Sequence, residues 1–102
     1  MIDRVAWLEA RSEGAPAALR HRVRLYFDSI SPGGGLPEDL AAAAMRALEV
    51  TMHADGSRAT ALDLLAADAL VTMALQAKAE LDPAGLAGFA RWLRDAGARR
   101  RD

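Results

Sequence analysis

The sequence predicts an all-α fold, a compact bundle of four to five helices with a central buried helix at about residues 60–81. Two observations predict this fold class. Alanine and leucine, both strong helix formers, dominate the composition, whereas aromatic residues make up only 5% of it. In addition, no segment alternates apolar and polar residues with a period of two, so we expect no β-sheet.

Glycine and proline divide the chain into segments of helical length. A length of 102 residues is typical of one domain, and we predict a helical domain over 1–98 followed by a disordered basic tail over 99–102. The absence of cysteine excludes a disulfide framework and a thiolate metal site. The four breaks are EGAP (13–16), SPGGGLP (31–37), ADGS (54–57) and LDPAG (81–85).

The first predicted helix covers residues 2–11 and is short. Ile2, Val5 and Leu8 share one side of it, whereas Trp7 points elsewhere. Its apolar residues therefore form no continuous stripe.

The second predicted helix covers residues 15–30 and has a clear apolar face. Pro16 suits its first turn because proline lacks the amide hydrogen that this position would leave unpaired. Arg24 and Asp28 are four residues apart, so they can form an ion pair across one turn. The apolar face consists of Leu19, Val23, Tyr26, Phe27 and Ile30.

The third predicted helix covers residues 37–54. Pro37, Glu38 and Asp39 suit a helix N-terminus, where the helix dipole favours acidic side chains. Small side chains on one side of this helix allow a neighbouring helix to approach closely. That side consists of Leu40, Ala43, Ala44, Ala47, Val50 and Thr51, and Met45, Leu48 and Met52 widen it.

The fourth predicted helix is apolar on two sides. Ser57 or Thr60 is its expected N-cap, and Thr60 with Asp63 resembles a capping box. A helix that is apolar all round is normally buried on all sides, so we expect a central helix or one shared at a subunit interface. One stripe consists of Leu62, Leu65, Ala66, Ala69 and Met73, and the other of Leu64, Val71 and Leu75.

The fifth predicted helix begins with a strong start signal. Asp82 is a good N-cap, and Pro83 is a good first residue. Gly97 is expected to end the helix, and the arginine-rich tail follows. The apolar face consists of Leu86, Phe89, Ala90 and Leu93.

Asp68 is the acid in the middle of the most apolar stretch of the chain. If the helix is buried, the carboxylate needs a partner or a proton, because an unpaired buried charge is costly. Arg24, Arg46, Arg91 or a Trp or Tyr donor are the expected partners. A structural ion pair, a ligand-binding or acid–base role, and simple exposure at the rim of the bundle all remain open.

Trp7 and Trp92 are the largest candidates for a contact site. Either can be a core residue, but tryptophan is also enriched at interface hot spots. We therefore take Trp92, Trp7, Asp68 and Arg24 as the interface or ligand candidates.

A metal site or a phosphate site has little support. Glu49 and His53 are four residues apart and near Asp55, but a zinc site needs at least three protein ligands. The arginines around His21 point in different directions on a helix. The glycine-rich SPGGGLP segment lacks the Lys-Ser/Thr of a phosphate-binding loop. We expect no cofactor and no metal.

The charge distribution argues against several protein classes. The net charge is −1, with an acidic middle and basic ends, whereas a nucleic-acid binder would present one coherent basic face. The N-terminus has acids and no apolar run, so we expect no signal peptide. Charges interrupt every long stretch, so we expect no membrane span and a cytoplasmic protein.

The excess of apolar helix surface indicates an interaction protein. We expect a small non-enzymatic adaptor, accessory subunit or regulator that acts through an apolar helix surface as a homodimer or with a protein partner. The alternative is a small-molecule binder with an apolar pocket between helices, anchored by Asp68 or an arginine. The sequence contains no visible nucleophile, base or metal constellation for an enzyme.

Overall fold

The computed structural model describes residues 3–53 and 56–101, with side chains described as far as Arg99. This part of the chain forms five α-helices and no strand, so the predicted all-α bundle is confirmed. A single 3-10 turn, Pro83–Gly85, connects the last two helices. The helices are α1 (Arg4–Ser12), α2 (Ala17–Asp28), α3 (Leu36–Met52), α4 (Arg58–Leu81) and α5 (Leu86–Arg101).

Side-chain caps stabilise three helix starts, and two of them lie in segments that the sequence marked as breaks. Asp3 caps α1 by accepting a hydrogen bond from the Ala6 amide, and Asp82 accepts one from the Gly85 amide. Ser57 caps α4 by accepting a hydrogen bond from the Thr60 amide. Of the two predicted N-caps, Ser57 is the one observed, so Thr60 lies within the first turn of α4 and the predicted capping box of Thr60 with Asp63 is wrong.

The centre of the bundle is the packed pair α3 and α4. Alanines line both sides of this contact and have no solvent exposure, so the two helix backbones approach closely. Leu40 on α3 and Leu70 on α4 fill the space between the alanines and are likewise fully buried. The alanines are Ala41, Ala43, Ala44 and Ala47 on α3, and Ala66, Ala74 and Ala77 on α4.

Helix α4 is the central helix, as predicted, and contacts α2, α3 and α5. Its buried side differs from the two predicted stripes. The small residues and Leu70 face the core, whereas Leu64 and Leu65 are 51% and 55% exposed. Burial on every side is therefore not found within one chain, and α4 keeps one face open to solvent.

The remaining helices cover the flanks of α3 and α4. Val23, Tyr26 and Phe27 of α2 enter the core, as their spacing predicted, and Leu8 anchors α1. Phe89 and Leu93 bury one side of α5. The prediction that α5 ends at Gly97 is wrong, because Gly97 is buried within the helix and the residues predicted as a disordered tail continue it to Arg101.

Candidate functional site

Asp68 is exposed to solvent. Its main-chain carbonyl accepts a hydrogen bond from the Thr72 hydroxyl at 3.0 Å, and its carboxylate forms no ion pair within the described part of the chain. The predicted buried pairing with Arg24, Arg46 or Arg91 is wrong. The rim position, the third alternative from the sequence, is the one that the structure shows.

The buried acid of α4 is Asp63, which is 6% exposed. Its Oδ1 atom accepts hydrogen bonds from Arg22 Nη1 at 2.6 Å and from the Tyr26 hydroxyl at 2.9 Å. Both donors come from α2. Sequence reasoning missed this site because it treated Asp63 as a cap. The available signal was that Asp63 shares a helix side with Ala66, Ala67 and Leu70.

A second buried acid, Asp39 on α3, forms an ion pair with Arg4 of α1. The Arg4 guanidinium also lies 5.1 Å from the centre of the Phe27 ring, a cation–π contact with α2. Each buried carboxylate is therefore neutralised by an arginine from one of the first two helices. These pairs hold α1 and α2 against the α3–α4 centre.

Burial raises the pKa of Tyr26 above its ordinary value of 10.0, and the hydrogen bond to Asp63 raises it further. The neighbouring Arg22 acts in the opposite direction with a smaller effect. The Tyr26 hydroxyl therefore remains a hydrogen-bond donor at neutral pH. This cluster supports the fold by satisfying a buried carboxylate.

Trp7 of α1 contacts the C-terminal end of α4. Its indole nitrogen donates a hydrogen bond to Glu80 Oε1 at 3.3 Å, and Arg11 stacks 4.8 Å from its ring centre. Arg11 also binds the Glu80 carboxylate at 2.7–2.8 Å. Trp7 is half-buried and its polar atom is bonded within the chain, so its contacts serve packing.

Arg24 links α2 to α1 at the surface. Its Nε atom binds Asp28 at 2.9 Å, which confirms the predicted pair, and its Nη1 atom binds Glu9 at 3.3 Å. The hydrogen bond and the charge of Asp28 raise the pKa of Arg24. The arginine is thus held by acids of its own chain.

Trp92 is 46% exposed on α5. Its ring lies 5.6 Å from that of Phe89 in a tilted arrangement. It lines a shallow surface pocket with Ile30 and Met45, and Arg46 and Arg99 border the same pocket. Of the two tryptophans, Trp92 therefore keeps the larger surface for an external contact.

An apolar groove of about 370 Å³ lies where α5 meets α3 and α4. We call it the α5 groove. Among the described residues that line it, Arg94 alone is charged. Its apolar lining includes Met45, Leu48, Val71, Leu75, Leu93 and Gly97.

The second apolar surface is the exposed side of α4, which we call the open face. Successive residues of an α-helix are 100° apart, so positions spaced by three and four lie on one side. The open face consists of Arg58, Ala61, Leu64, Leu65, Asp68 and Thr72. All six side chains are exposed.

Two other kinds of site have little support in the structure. The described residues contain no group of three or more His, Asp or Glu side chains placed to hold a metal ion. Glu49 and His53 line a shallow surface depression beside Arg46 and Val50, and Asp55 lies outside the described residues. By length and composition alone, α4 could cross a membrane, but a core helix of a soluble protein meets the same criterion.

Comparison with known proteins found no matching protein-family model, no matching curated protein and no matching solved structure. The two apolar surfaces, the open face and the α5 groove, are therefore the basis for a functional proposal.

Proposed function

We propose that this protein is a small helical interaction protein that self-associates into a homodimer through the open face of α4. The observation that carries the proposal is the exposure of two adjacent leucines, Leu64 and Leu65, on the central helix of the bundle. Both side chains are more than half exposed, although the helix around them is otherwise packed on three neighbouring helices. Covering such side chains by a partner removes apolar area from water and is favourable.

The exposed apolar surface is larger than these two leucines. Seven large hydrophobic side chains of the described residues are more than 40% exposed. Because a chain of this size buries only a modest fraction of its surface, association with a second copy adds apolar burial that the monomer lacks. The seven are Leu25, Val50, Met52, Leu64, Leu65, Leu81 and Trp92.

Sedimentation equilibrium over a range of concentrations tests this proposal. The native chain is expected to approach twice its mass of 10.9 kDa as concentration rises. Leu65→Glu places a charge on the open face and is expected to leave a monomer, because an unpaired charge resists burial in an interface. The matched control is Leu25→Glu, which alters an equally exposed leucine on α2 and should leave the dimer intact.

A native chain that stays at the monomer mass at every concentration would contradict self-association. A dimer that Leu65→Glu leaves unchanged would instead exclude the open face as its contact surface.

A second candidate function is the binding of a small apolar anion in the α5 groove. Its volume of about 370 Å³ is within the range of small-molecule pockets, and Arg94 is placed to bind a carboxylate at its edge. Native mass spectrometry of the purified protein tests this candidate. A retained small mass that Arg94→Ala removes would support it, and a spectrum showing the bare chain alone would contradict it.

A further inference from the structure

We infer that the open face of α4 pairs with the open face of a second copy in antiparallel orientation, so that Arg58 of each chain binds Asp68 of the other. This inference rests on the proposed homodimer and specifies its contact surface and register. Three observations support it. They are the spacing of the residues on the open face, the positions of Arg58 and Asp68, and the lack of an ion-pair partner for either charge among the described residues.

The first support is the spacing of the residues. Arg58, Ala61, Leu65, Asp68 and Thr72 follow one another at intervals of three, four, three and four. This interval repeats every seven residues and is the pattern of a helix that packs lengthwise against another helix. The core-facing residues of α4 belong to the opposite side, so the pattern is not explained by packing within the chain.

The second support is the position of the two charges. Arg58 and Asp68 lie ten residues apart with their midpoint at position 63, and Ala61 and Leu65 share that midpoint. A two-fold axis level with position 63 therefore places Arg58 opposite Asp68 and Ala61 opposite Leu65 in both halves of the contact. The small Ala61 leaves room for the leucine side chain. Parallel pairing would instead place like charges next to each other, which is unfavourable.

The third support is that neither charged side chain has an ion-pair partner among the described residues. Both are exposed. Arg58 is also the first residue of α4, where the positive end of the helix dipole disfavours a cation. A carboxylate supplied by a second copy would offset this cost.

Charge reversal tests the register. Arg58→Asp gives a dimer with two acidic pairs, and Asp68→Arg gives a dimer with two basic pairs. Each variant alone is expected to dimerise about tenfold more weakly than the native chain, because two attractive pairs become repulsive. When the two variants are mixed, the heterodimer again has two pairs of opposite charge, whereas each homodimer keeps its two like-charge pairs. Native mass spectrometry of the mixture is expected to show the heterodimer well above its statistical share of one half.

Two matched controls separate the register from a general charge effect. Asp95→Arg and Arg91→Asp make the same substitutions at exposed positions of α5. Their dimers are expected to match the native dimer, and their mixture should be statistical. Circular dichroism melting checks that all variants keep the fold.

The outcomes distinguish this inference from the proposed function. If the native chain dimerises but the reversed variants dimerise as strongly and mix statistically, the antiparallel register is wrong and the homodimer stands. If the dimer persists in Leu65→Glu, the chains associate through a surface other than the open face and the inference is overturned. If the native chain is monomeric throughout, both the inference and the proposed homodimer fail.

Discussion

Asp63 is the residue whose environment depends most on the rest of the molecule. Its carboxylate is buried, and removing an ionised carboxylate from water is costly unless hydrogen-bond donors replace the lost water. Arg22 and Tyr26 supply those donors from α2. Removing one donor leaves the acid buried and partly unsatisfied, so the loss exceeds the net value of one hydrogen bond.

Arg22→Met is therefore expected to lower the free energy of unfolding by about 2–3 kcal/mol. The methionine retains most of the apolar stem, so the change removes mainly the charged donor. Arg20→Met is the control, since Arg20 is an exposed arginine on the same helix, and its effect should stay within about 0.5 kcal/mol. Urea unfolding measures both, and equal effects of the two substitutions would contradict the role of the Asp63 cluster.

Tyr26 links this cluster to pH. Because its pKa is raised in the folded chain, the folded state holds the phenolic proton more tightly than the unfolded state. The stabilisation is fully present below the unfolded value of about 10 and is lost as pH rises through the folded value. The chain contains one tyrosine, so tyrosinate absorbance reports this group alone.

We expect the absorbance midpoint to lie above 10 in the folded chain and at about 10 in denaturant. The free energy of unfolding should fall above pH 10, and Tyr26→Phe should reduce that fall. Part of it will remain, because the pKa of Lys78 is also raised: burial acts to lower it, but Asp82 and Glu38 together outweigh burial. A folded midpoint at or below 10 would show that the Tyr26 hydroxyl is not buried against Asp63.

At the scale of the element, the α3–α4 contact depends on small side chains. Alanines with no exposure occupy both surfaces, so the two helices are too close to admit a larger residue without movement. Ala44 lies in this contact, whereas Ala42 lies two residues earlier on the exposed side of α3.

Ala44→Leu is expected to destabilise the chain by about 1–3 kcal/mol through overpacking. Ala42→Leu makes the same substitution on the exposed side and should change stability by less than about 0.5 kcal/mol. Thermal or urea unfolding compares the two. A close match between them would mean that the helices are not in tight contact at Ala44.

Helix starts were predictable from the sequence, whereas the end of α5 and the buried side of α4 were not. Proline, glycine and capping residues act through local geometry, so Ser57, Asp82 and Pro16 located the helix starts. On α4, alanine and leucine surround the helix, and periodicity cannot tell which apolar side faces the core. Asp63 rather than Asp68 is the buried acid because Arg22 and Tyr26 of α2 donate hydrogen bonds to it. These contacts join residues far apart in the chain, so local sequence patterns do not reveal them.

Of the candidate contact residues, Trp92 and Asp68 are exposed, as an interface or ligand role requires. Trp7 and Arg24 are instead engaged by acids of their own chain, through Glu80 and through Asp28 and Glu9. The sequence alone could not show which of these four side chains are exposed, because the packing of whole helices decides which acids lie within reach of each one.

At the scale of the whole molecule, α4 connects every part of the structure. The arginines of α1 and α2 hold the first two helices on one flank, and α5 covers the other flank at the α5 groove. The open face lies between these flanks. A second copy that covers this face would complete the burial of α4 that its sequence predicts.

One distance measurement tests the central claim of antiparallel self-association through the open face. The chain has no cysteine, so Ala79→Cys introduces a single site for a spin label near the exposed C-terminal end of α4. Antiparallel pairing centred level with position 63 separates the two labels by roughly 48 Å along the helix axis, given a helical rise of about 1.5 Å per residue. Pulsed electron paramagnetic resonance should show that distance, and either no coupling between labels or a distance below roughly 30 Å would contradict the account.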